Sequence, residues 1–133
     1  MRLAEQFGRV LAVAPHPDDE ILGCGGTLAR LVEEGGEVTI AIATTGKQPA
    51  FPANQVEQVQ EEMRRAHSII GITDTRLLDL PAAALDTIPA SECNAPFAEL
   101  VDEIRPDTLL LPFVGDVHLD HQLTFLASMV AAR

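Results

Sequence analysis

Four short apolar runs, each bounded by Gly, Pro or Asp, alternate along the chain with longer segments of helical period. This alternation is typical of repeated βαβ units around a parallel sheet. Strands covered by helices on both faces are almost uniformly apolar, as these runs are. The predicted strands are residues 9–14, 38–44, 75–80 and 108–112. The sequence therefore predicts an α/β protein with a Rossmann-like, open, mostly parallel sheet and helices on both faces.

The segments between these strands predict the helices, which are residues 19–34, 55–70, 96–104 and a last helix from about residue 120 to the end of the chain. Gly35 and Gly71 follow the first two, as residues after a helix often do, and Pro106 follows the third. Residues 81–95 are predicted to be a loop. Because the last helix is still amphipathic at Arg133, we expect one domain, residues 1–133, truncated at its C-terminus; the alternative is a naturally short domain.

Composition excludes several classes of function. The chain of 133 residues has 9 basic and 20 acidic residues, hence a net charge of −11. This charge disfavours nucleic acids and anionic membrane surfaces, which are bound by clustered Lys and Arg. The apolar runs are far shorter than the roughly 20 residues of a membrane-spanning helix. Two cysteines, Cys24 and Cys93, form no disulfide framework, so we expect a cytoplasmic location.

The first polar cluster, PHPDDE over residues 15–20, directly follows the first predicted strand. His16 and Asp19 are three residues apart, so their side chains can converge if a helical turn begins at Pro17, while Asp18 projects about 100° away. Such an arrangement offers metal ligands on one side and a base on the other. The alternative is that the acidic residues only favour the positive end of a helix dipole, which does not account for His16.

A second polar cluster, GDVHLDH over residues 115–121, follows the fourth predicted strand. His118 and His121 are again three residues apart, and Asp120 lies between them, where it could accept a hydrogen bond from an imidazole nitrogen. The alternative is a surface loop in which Asp120 caps the last helix.

The predicted topology brings the two clusters together. Ligands of open α/β sheets bind outside the carboxyl ends of the strands where the strand order reverses, and in the order 3-2-1-4 the first and fourth strands are neighbours. His16, Asp19 and His121 then match a catalytic zinc site with three protein ligands and one open position.

Two other features are predicted to have no catalytic role. His67 has no acidic or imidazole partner at ligand spacing, so we expect a surface or partly buried helix residue. The glycine-rich run at residues 23–26 does not match a dinucleotide-binding fingerprint, and we expect it to allow close packing of the first helix on the sheet. Cys24 within this run is expected to be a small core residue and not a nucleophile.

Together, PHPDDE and HLDH resemble the paired motifs of the PIG-L/LmbE-like family of zinc-dependent de-N-acetylases, which act on N-acetylglucosamine-type sugars. The resemblance extends over GCGGTLARLVEEGGEV, EEMRRAHSIIGI and EIRPDTLLLP. It implies that His16, Asp19 and His121 hold the zinc ion and that Asp18 is the general base on a metal-activated water. It further implies that His118 stabilises the oxyanion or protonates the amine, and that Asp120 orients His118.

The chain departs from the family pattern in three ways. Leu119 stands where relatives often have Pro, and residues 58–60 read QVQ where relatives often have an Arg. The further strands and helices that help to form the substrate pocket in relatives are absent, so a C-terminal segment, a partner chain or a homo-oligomer would have to supply them.

Two other functions stay open, the first because of these departures and the second because carboxylates and imidazoles also suit a two-metal centre. One is a non-catalytic metal-binding or interaction module on the same fold. The other is a metal-dependent phosphoesterase, for which only Asp18 and Asp116 are spare as bridging ligands. Fe²⁺ or another divalent ion could also replace zinc, because imidazole and carboxylate ligands bind several metals.

Overall fold

The computed structural model describes residues 1–133 and contains a four-stranded, all-parallel sheet. The helices are α1 (Leu3–Phe7), α2 (Asp19–Glu33), α3 (Ala53–Ile69), α4 (Ala90–Ile104) and α5 (Leu119–Ala131). The strands are β1 (Val10–Ala14), β2 (Val38–Thr45), β3 (Asp74–Pro81) and β4 (Thr108–Leu110), and a 3₁₀ turn spans Leu85–Thr87. No helix has both the length and the apolar character needed to cross a membrane.

The predicted strand order is confirmed as β3-β2-β1-β4. Val10 of β1 pairs with Val38 on one side and with Thr108 on the other. Because the strands are parallel, the segments that follow β1 and β4 leave the sheet at the same edge. This pairing places the two polar clusters next to each other.

Side chains of β1 and β2 alternate between two apolar layers, as the pleat of a strand requires. Leu11, Val13, Ala41 and Ala43 pack with buried residues of α4 and α5, including Phe97, Leu100 and Ala127. Ala12, Ala14, Ile40 and Ile42 pack on the opposite face with Leu28 of α2 and Met63 of α3. The expectation of helices on both faces is therefore confirmed.

Two segments differ from the prediction. The short helix α1 was not predicted, since five residues are too few to show a helical period. The predicted loop at residues 81–95 contains the 3₁₀ turn and the start of α4, which begins at Ala90 and holds Pro96 in its interior. Because a proline is most easily tolerated in the first turn of a helix, the sequence predicts that this helix begins at Pro96. The helix tolerates Pro96 because Cys93, Phe97 and Leu100 on the same helix are buried in the core.

The expected close packing of the glycine-rich run on the sheet is wrong. A Cβ atom added to Gly23 or Gly26 would meet no atom within 4 Å, and one added to Gly25 would make only ordinary contact with Ile21. Instead, α2 is kinked at Cys24, whose φ and ψ are −145° and 19°. The run therefore surrounds an irregular turn of the helix and does not mark a close contact.

We predict that Gly26→Ala stabilises the protein by roughly 0.5–1 kcal/mol, because alanine loses less backbone entropy on folding and its methyl group meets no other atom. Urea unfolding measures the change. Gly71→Ala is the control: Gly71 has a φ of +81°, and its added Cβ would lie 2.8 Å from Val32 Cγ1. The Gly71→Ala protein should be less stable than the parent. Equal effects of the two substitutions would contradict the conclusion that Gly26 has free space around it and Gly71 does not.

Candidate metal centre and active site

The first polar cluster forms a tight turn between β1 and α2. The backbone N–H of Asp19 donates to the carbonyl of His16 at 3.2 Å, and the N–H of His16 donates to Asp19 Oδ2 at 2.9 Å. These bonds hold His16 Nδ1 at 3.3 Å from Asp19 Oδ2. The predicted convergence of these two side chains is therefore seen in the structure.

The second polar cluster adds His121, in the first turn of α5. Its Nε2 atom lies 3.2 Å from Asp19 Oδ2, so one carboxylate oxygen has an imidazole nitrogen on each side. One ligand atom from each of the three residues lies within 4.8 Å of the other two. Neighbouring ligands of a tetrahedral zinc ion, with bonds of about 2.0–2.1 Å, are about 3.3 Å apart. The spacing and chemistry of these atoms therefore fit a divalent metal ion.

Each of these histidines has a second carboxylate at its other ring nitrogen. His16 Nε2 lies 2.8 Å from Asp120 Oδ2, and His121 Nδ1 lies 3.2 Å from Asp116 Oδ2. A carboxylate in this position accepts the ring N–H and leaves the lone pair of the opposite nitrogen for the metal. The two carboxylates therefore favour the tautomers in which His16 Nδ1 and His121 Nε2 can bind a metal.

The structure differs from the expected contact between the Asp120 carboxylate and His118. The Asp120 side chain is buried and accepts hydrogen bonds from His16 Nε2 and from the N–H of Ala83 at 2.6 Å. Its backbone N–H instead donates to His118 Nδ1 at 3.1 Å, so His118 and not Asp120 caps α5. This bond leaves the ring proton of neutral His118 on Nε2, where it can be donated.

Asp18 occupies the N-cap position of α2 but makes no capping hydrogen bond, and it is exposed to solvent. Its carboxylate is therefore free for another role, and helix capping alone does not account for it. Partial burial, followed by the negative charge of Asp19, raises the pKa of Asp18. A raised pKa makes this carboxylate a better proton acceptor than an ordinary aspartate.

The charges of the cluster also shift the pKa of His16 and Asp19. The hydrogen bond to Asp19 raises the pKa of His16; partial burial acts to lower this pKa, but the contacts with Asp19 and Asp120 together outweigh burial. Burial acts to raise the pKa of Asp19, but contacts with His16 and His121 together lower it. The three imidazole rings pack closely, and the His16 and His118 centroids are 4.8 Å apart.

A pocket of about 350 Å³ opens beside the ligand cluster. His16, Asp18 and His118 all line it, so the free carboxylate and the exposed imidazole face the same space as a candidate metal ligand. A small molecule in this pocket would reach all three side chains.

Known proteins are similar to this chain over most of its length. The family model described as PIG-L, GlcNAc-PI de-N-acetylase, matches residues 11–132. The chain belongs to the PIG-L family. It is 33% identical to the uncharacterized deacetylase YaiS of Escherichia coli (strain K12), over 93% of this chain and 68% of YaiS. It is 31% identical to a 1D-myo-inositol 2-acetamido-2-deoxy-alpha-D-glucopyranoside deacetylase of Kineococcus radiotolerans, over 88% of this chain and 42% of that protein.

Solved structures with this PIG-L fold are also similar. The conserved protein TT1542 from Thermus thermophilus has a TM-score of 0.77 and 31% sequence identity, over 92% of this chain and 54% of that one. The N,N'-diacetylchitobiose deacetylase from Pyrococcus horikoshii has a TM-score of 0.81 and 22% identity, over 96% of this chain and 50% of that one. The chain therefore spans about half the length of these PIG-L structures.

The expectation that His67 is a surface or partly buried helix residue is wrong in this PIG-L family member. The residue is 3% exposed, and its Nε2 lies 2.7 Å from Glu20 Oε1. Its Nδ1 lies 2.8 Å from Thr75 Oγ1. These contacts connect α3 with β3 and, through the residue that follows Asp19, with α2. Glu20 is far from His67 in the sequence, so local spacing could not reveal the pair.

We predict that His67→Leu destabilises the protein by about 3–5 kcal/mol, because it leaves the buried Glu20 carboxylate without its partner. Arg64→Leu, at an exposed position of the same helix, should change stability by less than about 0.5 kcal/mol. Urea unfolding of metal-free protein measures both. The double variant with Glu20→Leu should recover part of the loss; strictly additive losses would contradict a coupled pair.

The Asp116→Asn variant should weaken binding of Zn²⁺ about 10–100-fold, as loss of such a carboxylate does. Asp116 Oδ1 accepts a hydrogen bond from the backbone N–H of His118 at 2.8 Å, and Oδ2 faces His121 Nδ1. In the variant, the amide oxygen keeps the bond to His118, so the amide NH₂ group faces His121 Nδ1. His121 Nδ1 would then accept a hydrogen bond from this NH₂ group, which requires the ring N–H of His121 to be on Nε2, the nitrogen that faces Asp19.

Competition with a chelator measures the affinity, and Asp86→Asn, an exposed residue outside the cluster, is the control. Equal Zn²⁺ affinities for the two variants would show that Asp116 does not orient His121.

Proposed function

We propose that the chain is a zinc-dependent hydrolase that removes an N-acyl group, in the simplest case N-acetyl, from an N-acetylglucosamine-type sugar or conjugate. Family membership supports amide hydrolysis, and the relatives' names describe deacetylases. The observation that carries the proposal is the placement of Asp18 and His118 in one pocket with His16. That pocket combines a proton acceptor, a hydrogen-bond donor and a residue that would bind the metal.

His16, Asp19 and His121 would hold the zinc ion, and Asp120 and Asp116 would orient the two histidines. When bound, zinc supplies a Lewis acid that polarises an amide carbonyl and increases the acidity of water. The proton transfer and the stabilisation of the oxyanion are carried out by side chains of this chain.

Asp18 accepts the proton of the attacking water as the new C–O bond forms. His118 donates a hydrogen bond from Nε2 to the oxyanion, and the proton taken up by Asp18 passes to the leaving nitrogen when the C–N bond breaks. The products are a carboxylic acid and a free amine. No covalent intermediate with the protein is required.

The phosphoesterase alternative is disfavoured by the contacts of Asp116. One of its oxygens accepts from the His118 N–H and the other lies against His121 Nδ1, so neither oxygen is free to bridge two metal ions. The non-catalytic alternative makes a different prediction, namely metal binding without hydrolysis.

The decisive experiment combines metal analysis with amine release from N-acetylglucosamine conjugates on the same samples. We expect about one zinc ion per chain, loss of zinc in His121→Ala, and amine release only by the parent. Asp18→Asn should retain zinc but lose about 10²–10⁴-fold in kcat, the usual contribution of a general base. Glu33→Gln, at the exposed far end of α2, serves as the control.

Zinc binding without amine release would favour a non-catalytic module. No zinc in either the parent or His121→Ala would refute the metal site. Undiminished activity of Asp18→Asn would assign the base to another residue.

A further inference from the structure

The pocket beside the ligand cluster is apolar away from its catalytic end. Its walls come from β2, from α3 and the segment before it, and from the middle of β3, through Ile42, Phe51, Val56, Val59, Met63 and Leu77. No Lys or Arg lines it, and Asp18 is its only acidic residue. The chain as a whole is also acidic, with a net charge of −11. A phosphate or carboxylate group would therefore find no cation of this chain in the pocket.

Hydroxyl groups of a sugar would also find few partners there. Thr44 already donates its Oγ1 proton to the carbonyl of Pro15 at 2.8 Å, and Thr45 is hydrogen-bonded to Asp79. The amides of Gln55 and Gln60 are then the side-chain partners left for a hydroxyl group along walls that are otherwise apolar. Burying a hydroxyl group without a hydrogen bond is costly, whereas burying methylene groups is favourable. The pocket walls therefore suit an alkyl chain better than a sugar ring.

The size of the pocket points in the same direction. A water-sized group occupies about 30 Å³, so a pocket of about 350 Å³ has room for roughly ten such groups. The methyl group of an acetyl substituent would occupy one of these places. Val59 and Leu77 remain 40% and 42% exposed, which leaves apolar surface for a ligand to cover.

We propose that this pocket binds the acyl chain of the substrate, and that the substrate class is an amino sugar whose nitrogen carries a linear alkanoyl group longer than acetyl. The inference rests on the proposed function, because it places the amide between His118 and Asp18. The carbonyl lies at the ligand cluster, the alkyl chain extends between α3 and β3, and the sugar remains at the open side.

Binding can be measured without turnover. The Asp18→Asn chain is titrated calorimetrically with N-acetyl-, N-butanoyl-, N-hexanoyl- and N-octanoylglucosamine. A fully buried methylene contributes about fourfold in affinity, so we expect at least a tenfold rise from acetyl to hexanoyl in a half-open pocket. The heat capacity change should become more negative with chain length. Equal affinities across the series would overturn the inference.

Variants in the Asp18→Asn background test the location. Val59→Gln and Leu77→Thr, both at partly exposed positions, should each reduce the hexanoyl-to-acetyl ratio at least threefold. Val130→Gln is the matched control, since Val130 is 38% exposed on α5 and does not line the pocket. Equal effects of Val59→Gln and Val130→Gln would overturn the inference, because the alkyl chain would then bind elsewhere.

Amine release by the zinc-loaded parent separates this inference from the proposed function. A rise in kcat/KM with chain length supports both. Hydrolysis of the acetyl compound without any gain for longer chains would overturn the inference alone. Chain-length-dependent binding without hydrolysis of any compound would support the pocket assignment and refute the proposed function.

Discussion

The buried carboxylate of Asp120 is the contact on which the geometry of the site depends. It accepts hydrogen bonds from His16, which follows β1, and from the backbone N–H of Ala83, which follows β3. A carboxyl group so well buried is tolerated only when it is hydrogen-bonded, so these contacts hold in place the two segments that supply them. Asp120 itself belongs to α5, and one side chain therefore connects the segments that follow β1, β3 and β4.

This contact is available only because β1 lies between β2 and β4. In a parallel sheet, every strand delivers its following segment to the same edge, and the reversal of order at β1 opens a crevice there. The residues at that edge cannot be apolar throughout, since helix termini leave backbone N–H groups without partners. His118 satisfies one of these groups at the start of α5, and its other ring nitrogen is then left to donate into the pocket.

The sequence predicts the strands and the convergence of His16 and Asp19, because these depend on local periodicity or on spacing within a turn. The strand order and the approach of His121 are predicted from the general topology of open α/β sheets. The sequence does not predict which carboxylate meets which imidazole. The Asp120 backbone and side chain contact different histidines, and only the three-dimensional path of α5 decides this. The His67–Glu20 pair was missed for the same reason: its partners are 47 residues apart. At Pro96 the local sequence misleads: it predicts the start of a helix, but burial of the core side of α4 keeps this proline inside a helix that begins at Ala90.

The charge balance of the site argues that metal binding and folding are coupled. Asp18, Asp19, Asp116 and Asp120 bring four carboxylates around three imidazole rings, within a chain that is already strongly acidic. A divalent cation at the cluster would offset half of that negative charge if all four are ionised, and it would bind the folded chain better than the unfolded one, in which the ligands are dispersed. Any such preference adds directly to the free energy of unfolding. The carboxylates that orient the histidines therefore raise the electrostatic cost of the metal-free fold and increase its affinity for a cation.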